Sequence, residues 1–145
     1  MDIKIAKKKD LSGILELYEQ LHNGNASCLT KKEANKIWDE IDKNNIKYFL
    51  AKSDGKVLGS CYICIIPNLT YSGKSIGYIE NLITDESNRR KGIGKRLIQK
   101  AIEYANENNC YKVVLQSGLK REEAHKFYEK MGFNGKTKIA YELRF

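Results

Sequence analysis

The chain has 145 residues, of which 41% are hydrophobic and 10% aromatic, and its net charge of +8 comes from 26 basic and 18 acidic side chains. That length suits one compact domain (residues 1–145) with a core of useful size, and the composition excludes a disordered chain. No apolar run reaches membrane-spanning length, so no membrane partner is expected.

Residues 2–7 read as a first strand, without the apolar core or cleavage site of a secretory leader, so a cytoplasmic protein is expected. Asp10 stands as the cap of a helix that carries Leu11, Ile14, Leu15, Tyr18 and Leu21 at helical spacing. Residues 23–30, with Asn23, Gly24 and Asn25, read as a loop. A second helix over 31–42 carries Ala34, Ile37, Trp38 and Ile41. Runs 48–52 and 57–66 flank Ser53-Asp54-Gly55-Lys56, and Asp-Gly between apolar runs predicts a hairpin. Pro67, the only proline, ends the second run. After a polar loop over 68–74 comes a strand near 75–84. A long helix follows, with Ile93, Leu97, Ile98, Ala101, Ile102 and Ala105 on one side, ending near Asn108. Residues 112–116 make a short buried strand, 121–131 a helix with Ala124, Phe127, Tyr128 and Met131 on one face, and 137–144 a strand that closes the sheet. A hairpin first and a βαβ unit later predict a mixed sheet with helices on both faces. The parallel strands near 79–84 and 112–116 are expected to part and leave a ligand cleft.

Cys61 and Cys64 form a C-x-x-C, but residues three apart on a strand face opposite sides and do not grip one metal. With Cys28 and Cys110 they read as small reduced hydrophobes, and no metal is expected. The lysines scatter, apart from Lys7-Lys8-Lys9 and a cluster over 89–100. No aromatics interleave with either cluster, so a solvated exterior with one local anion site is expected rather than a nucleic-acid surface.

That anion site is Arg89-Arg90-Lys91-Gly92-Ile93-Gly94, between an apolar strand and a helix. A glycine-rich entry to a helix leaves backbone N–H groups free where the helix dipole is positive, which suits a phosphate or pyrophosphate. Arg89, Arg90, Lys91 and Lys95 add charge. A P-loop would need a hydroxyl residue after Gly94-Lys95, and a dinucleotide fingerprint would need a small residue at Leu97. What remains, Arg89-x-x-Gly92-x-Gly94, resembles the acyl-CoA loop of the GNAT superfamily of N-acetyltransferases. Ala124-His125-Lys126-Phe127-Tyr128-Glu129-Lys130-Met131-Gly132-Phe133 resembles the same superfamily's A-x-x-F-Y-x-x-x-G-F segment, at the usual distance downstream. The resemblance spans about 48–145.

The resemblance implies a GNAT-like α/β (α+β) fold: a mostly antiparallel sheet of six to seven strands whose splayed parallel pair forms an acyl-CoA cleft. It implies acetyl-CoA as co-substrate, held by Leu82, Ile83, Arg89, Arg90, Lys91, Gly92, Ile93, Gly94, Lys95 and Phe127. Acetyl transfer to an amine needs the ammonium deprotonated, the developing oxyanion met by a donor, and the departing thiolate protonated. Tyr128 occupies the superfamily's thiolate-protonating position, against the alternative that Phe127 and Tyr128 only pack. Glu80 stands near the end of the strand before the cradle, as general base or as an anchor for the substrate ammonium. Alternation sets Glu80 and Asn81 on opposite faces, and a backbone N–H near Leu82 or Ile83 is the candidate oxyanion donor. Two departures stand out: Asn81 is an amide where some members carry an acid, and Arg121 replaces an Asn or Ser. Lys120 to His125 resembles the aminoalkylphosphonate acetyltransferases, while Ile79-Glu80-Asn81 and Asn109 to Val113 resemble the glucosamine-6-phosphate acetyltransferases. Both point to a small-molecule amine acceptor. The rivals are a protein or peptide N-acetyltransferase and a non-catalytic acyl-CoA sensor, and a homodimer is an open alternative.

Overall fold

A computed structural model describes residues 1–21 and 29–145. Cys28 and most of the loop expected over 23–30 therefore lie outside the described residues. The chain divides into two compact units, Met1–Val114 and Leu115–Phe145.

The first unit holds β1 (Asp2–Ile5), α1 (Leu11–Tyr18), α2 (Lys31–Lys43), β2 (Ile46–Ser53), β3 (Lys56–Ile66), β4 (Ser75–Thr84) and α3 (Ile93–Glu107), and it leads into β5 (Cys110–Leu115). The strands lie in the order β1-β2-β3-β4-β5, and the pairs β1–β2, β2–β3 and β3–β4 are antiparallel. β5 starts beside the start of β4: the Ser75 N–H donates to the Asn109 carbonyl at 3.1 Å. Farther along, Gly77 lies beside Val113, so the two strands run parallel and the sheet is mixed.

A glycine-bearing turn and a helix cap shape this arrangement. Asp54 (φ 49°) and Gly55 (φ 80°) make the two-residue turn between Ser53 and Lys56, which pair directly. Left-handed backbone at both turn positions matches the twist of the strands it joins. Thr30 starts α2 by accepting from the Glu33 N–H at 3.3 Å, while the Glu33 carboxylate accepts from the Thr30 N–H at 2.7 Å. Each thus satisfies a backbone donor that the first turn leaves open. Asp10 does not cap α1 with its side chain. Its carboxylate instead accepts from the Lys7 N–H at 2.9 Å and pairs with Lys52 at 2.6 Å.

One face of the sheet packs Ile14, Leu17 and Trp38 of α1 and α2 against Leu50, Val57 and Ile83. The other face carries α3. A methyl at Gly59 would lie 2.7 Å from Ile93 and 3.1 Å from Leu97, so this glycine lets the first turns of α3 rest directly on β3. Cys61, on the same face, donates its S–H to the Leu97 carbonyl at 3.8 Å. Burial pushes the Cys61 thiol up to about 12, as for an inert core thiol, while Cys64 is half-buried and points to the opposite face.

The second unit carries α4 (Glu122–Lys130), where a helix over 121–131 was expected. The six to seven strands expected reduce to five among the described residues, because 137–144 form no strand. That run alternates as a strand would, yet Ile139, Tyr141 and Leu143 are exposed. Alternation alone does not hold a strand, which needs an edge that accepts its ladder. Here the polar side chains pair locally instead, Arg144 with Glu142 at 2.7 Å.

Candidate active site

The site begins at an irregularity in β4. Tyr62 pairs with Glu80 and Ser60 with Ile83, so Asn81 and Leu82 together oppose the single residue Cys61. This is a β-bulge, and Asn81 sits in it with φ 51°. A bulge leaves a backbone group outside the ladder, and it shifts every later side chain by one position. Ile83 therefore returns to the core face used by Glu80. The expectation that alternation separates Glu80 from Asn81 fails here. The Asn81 side chain reaches the Tyr18 hydroxyl, which lies on the same face as Glu80.

β4 delivers the chain to a turn built around Asp85. The Asp85 N–H donates to the Leu58 carbonyl at 2.9 Å. Its buried carboxylate accepts from Ser87, from Asn88 at 2.8 Å and from Gln20 at 3.0 Å. The same Gln20 amide accepts from the Glu86 N–H at 2.9 Å. Those hydrogen bonds from Ser87, Gln20 and Asn88, with the nearby Lys56 ammonium, hold the Asp85 carboxyl well below the usual carboxylate range. Neither Asp85 nor Gln20 was singled out in the sequence. Their partners are 65 and 66 residues apart, and nothing local announces the pair.

Beyond that turn lie the six cradle residues. Arg90 (φ 62°) and Gly92 (φ 77°) both take left-handed backbone, on either side of Lys91. Alternating left-handed and ordinary conformations turn successive N–H groups inward as an anion nest. Gly92 is the N-cap of α3, no side chain caps it, and the first helical bond is Arg96 N–H to the Gly92 carbonyl at 3.1 Å. The N–H groups of Ile93, Gly94 and Lys95 are thus left by the helix itself. A side-chain carbon at Gly92 would meet no protein atom within 4 Å, so the space beside it is open to a ligand. These residues fit a pyrophosphate.

The individual side chains differ in what they can offer. Arg89, Arg90, Lys91 and Lys95 are exposed. Arg89 pairs with Glu86 at 3.4 Å, and Lys91 donates to the Ser87 carbonyl at 3.2 Å and to Asn88 at 3.0 Å. Ile83 and Ile93 are buried in the core, so only their backbone groups remain for a ligand. Leu82 is half-buried in the bulge.

Around Glu80 the sheet carries a set of phenols that the sequence reading passed over. Tyr48, Tyr62 and Glu80 are direct partners across β2, β3 and β4, so they share a face. The rings of Tyr48 and Tyr62 are 5.0 Å apart. Tyr18 shares its hydroxyl with Ser60 at 3.5 Å. Burial, opposed by hydrogen bonds from Ser60, Tyr48 and Asn81, raises the Tyr18 phenol above its ordinary value. The signal for this cluster was the spacing of Tyr48 and Tyr62 about the hairpin, once the bulge at Leu58 is known.

In the second unit, Tyr128 lies on α4 edge-on to Phe127 at 5.2 Å and to Phe133 at 6.1 Å. Gly132 (φ 92°) turns the chain so that the Phe133 N–H donates to the Tyr128 carbonyl at 3.1 Å. His125 meets the Gly118 carbonyl at 2.8 Å, a local contact that ties the start of α4 to its preceding turn.

Elsewhere in the first unit, an open cleft is lined by Asp2, Ile3, Arg96, Gln99, Lys100 and Glu103, and it holds none of the expected site residues. Among the described residues no group of three or more His, Cys, Asp or Glu side chains could hold a metal ion. No described helix is long and apolar enough to cross a membrane.

A mixed sheet covered by helices on both faces, with a bulged central strand that ends at an anion cradle, is the α/β fold of GNAT acetyltransferases. The Acetyltransferase (GNAT) family signature matches residues 11–133, and the chain belongs to that family as an N-acetyltransferase. It is 35% identical over 135 residues to glucosamine 6-phosphate N-acetyltransferase of Trypanosoma brucei brucei, covering 92% of this chain and 88% of that one. A solved structure from Agrobacterium tumefaciens, a provisionally assigned acetyltransferase, superposes with a TM-score of 0.94 at 34% identity over the whole of both chains. Over 57 residues, 39% of this chain and 21% of the other, it is 46% identical to N-alpha-acetyltransferase 30 of Xenopus laevis.

Proposed function

We propose that this protein transfers an acetyl group from acetyl-CoA directly to the primary amine of a small molecule, with amino-sugar phosphates the first acceptors to test. The observation that carries this reading is the bulge at Asn81–Leu82 on the strand that leads into the Gly92 cradle. One segment of chain thus supplies both an unladdered backbone group near Glu80 and an anion nest. Similarity along nearly the whole chain to a glucosamine 6-phosphate N-acetyltransferase supports the small-molecule acceptor.

In this reading the N–H groups of Ile93, Gly94 and Lys95 bind the pyrophosphate, while Arg89, Arg90, Lys91 and Lys95 supply positive charge around it. Acetyl-CoA supplies a thioester, whose acyl carbon is open to an amine without a metal or a covalent enzyme adduct. Glu80 takes the ammonium proton, directly or through water, or else anchors the ammonium. The bulge leaves the amide of Leu82 or Ile83 to face the acetyl oxygen as its charge grows. The Tyr128 hydroxyl protonates the leaving sulfur, and Phe127 packs at the cofactor.

The test is an acceptor screen with acetyl-CoA that reads free thiol across amines, amino sugars and their phosphates, polyamines and peptides. Turnover on a small amine is the expected result. Turnover confined to peptides would replace the reading with a peptide acetyltransferase. Tight CoA binding with no turnover on any amine would replace it with an acyl-CoA sensor.

A further inference from the structure

Glu80 has surroundings that the transfer chemistry alone does not require. It is half-buried, and no Lys, Arg or His ion pair reaches it among the described residues. Its cross-strand partner is Tyr62, and Tyr48 stands on the far side of Tyr62. Tyr78, two residues earlier on β4, hydrogen-bonds to the Glu80 carboxylate. Burial, and then the charge of Glu80, push the Tyr62 phenol up to about 12, and the same two causes raise Tyr78. Both phenols are neutral across the physiological range. A half-buried carboxylate flanked by neutral phenols, with no ion pair among the described residues, is a place that attracts an incoming cation. The faces of tyrosine rings attract the same sign of charge.

We infer that Tyr62, Tyr78 and Glu80 form a subsite for organic ammonium, which receives the acceptor amine in its protonated form before the proton leaves. The role as acceptor subsite rests on the proposed transfer, whereas the cation site itself does not. Phenol rings beside one carboxylate favour an alkylammonium over a small hydrated metal ion, because ring faces cannot replace the oxygen ligands a hard ion requires. A neutral isostere of the same shape gains the apolar contact but neither the ion pair nor the cation–π term.

Choline and its carbon isostere 3,3-dimethylbutan-1-ol separate these contributions. Their binding to the full chain with CoA present is measured by calorimetry. The single tryptophan, Trp38, reports location, because its ring lies 5.6 Å from Tyr48, which abuts Tyr62. Choline is expected to bind about tenfold or more tighter than the isostere and to change Trp38 emission. Glu80→Gln is expected to reduce that preference to the roughly threefold share that the Tyr62 ring supplies. Tyr62→Leu is expected to weaken choline by about threefold or more, and Tyr62→Phe to retain it, since the ring face rather than the hydroxyl meets the cation. Equal binding of the two probes, no choline binding, or a preference undiminished in Glu80→Gln would each overturn the subsite. If Tyr62→Leu does not fold, the Phe and Gln variants still decide. Choline binding as expected with no amine ever acetylated would overturn the proposed transfer and leave the subsite standing. Acetylation of amines without any charge preference would do the reverse.

Discussion

Tyr128 is where packing and the proposed chemistry meet in one side chain. Its ring packs edge-on between Phe127 and Phe133, and Tyr128→Phe keeps that ring while removing only the hydroxyl. If the hydroxyl protonates the thiolate, kcat falls by roughly ten- to a thousand-fold, with CoA affinity nearly unchanged. Steady-state kinetics and calorimetry on one preparation read both quantities, and wild-type turnover would leave Tyr128 a packing residue. Asp85 makes a different kind of prediction. Its folded-state pKa lies below the ordinary 3.8, so its stabilising effect is fully present above that value and is lost as pH falls through the folded pKa. Asp85→Asn keeps the shape but not the charge that Gln20, Ser87, Asn88 and Lys56 meet. Near neutral pH the variant should be less stable by about 1–3 kcal/mol. The gap in Tm between the two proteins should close as pH drops below 3.8. Thermal scans between neutral and acid pH check this, and a gap independent of pH would refute the linkage.

At the level of elements, β4 and α3 act through one junction. Gly59 brings α3 against the sheet, and Gly92 opens its first turn in a conformation that L side chains rarely adopt. Gly92→Glu adds backbone strain and a negative charge at the nest. CoA present at about a hundred times its Kd should stabilise the parent by about 2.7 kcal/mol. In the variant that rise should vanish, and an equal Tm shift in both proteins would remove the cradle from cofactor binding. The hairpin shows how element-level registers decide a site. Counting outward from Ser53 and Lys56 sets Tyr48 opposite Cys61. Leu58 is an extra residue on β3, which moves the pairing by one and brings Tyr48 opposite Tyr62. A one-residue slip exchanges the faces of a strand, so without that bulge Tyr48 would not share the face of Tyr62 and Glu80.

For the whole molecule, the basic excess is dispersed in ion pairs such as Lys8–Asp39 and Lys100–Glu103 and in the exposed cradle. The order of elements was legible in sequence because it rests on local rules. Helical spacing marked α1, α2, α3 and α4, Asp-Gly marked the turn, and the glycines at 92 and 94 marked the helix entry. The run over 137–144 was misread because alternation states only that a segment could lie on a sheet. Whether an edge receives it is a property of the rest of the chain. The same holds for the site. The chemical identities of Glu80, Gly92 and Tyr128 and their likeness to a family were in the sequence, since each belongs to a short motif. The bulges at Leu58 and Asn81, the shared face of Tyr48, Tyr62 and Glu80, and the Gln20–Asp85 clasp were decided only by tertiary structure. Each depends on pairing between distant segments, and a register shift of one residue is invisible until both strands are in place.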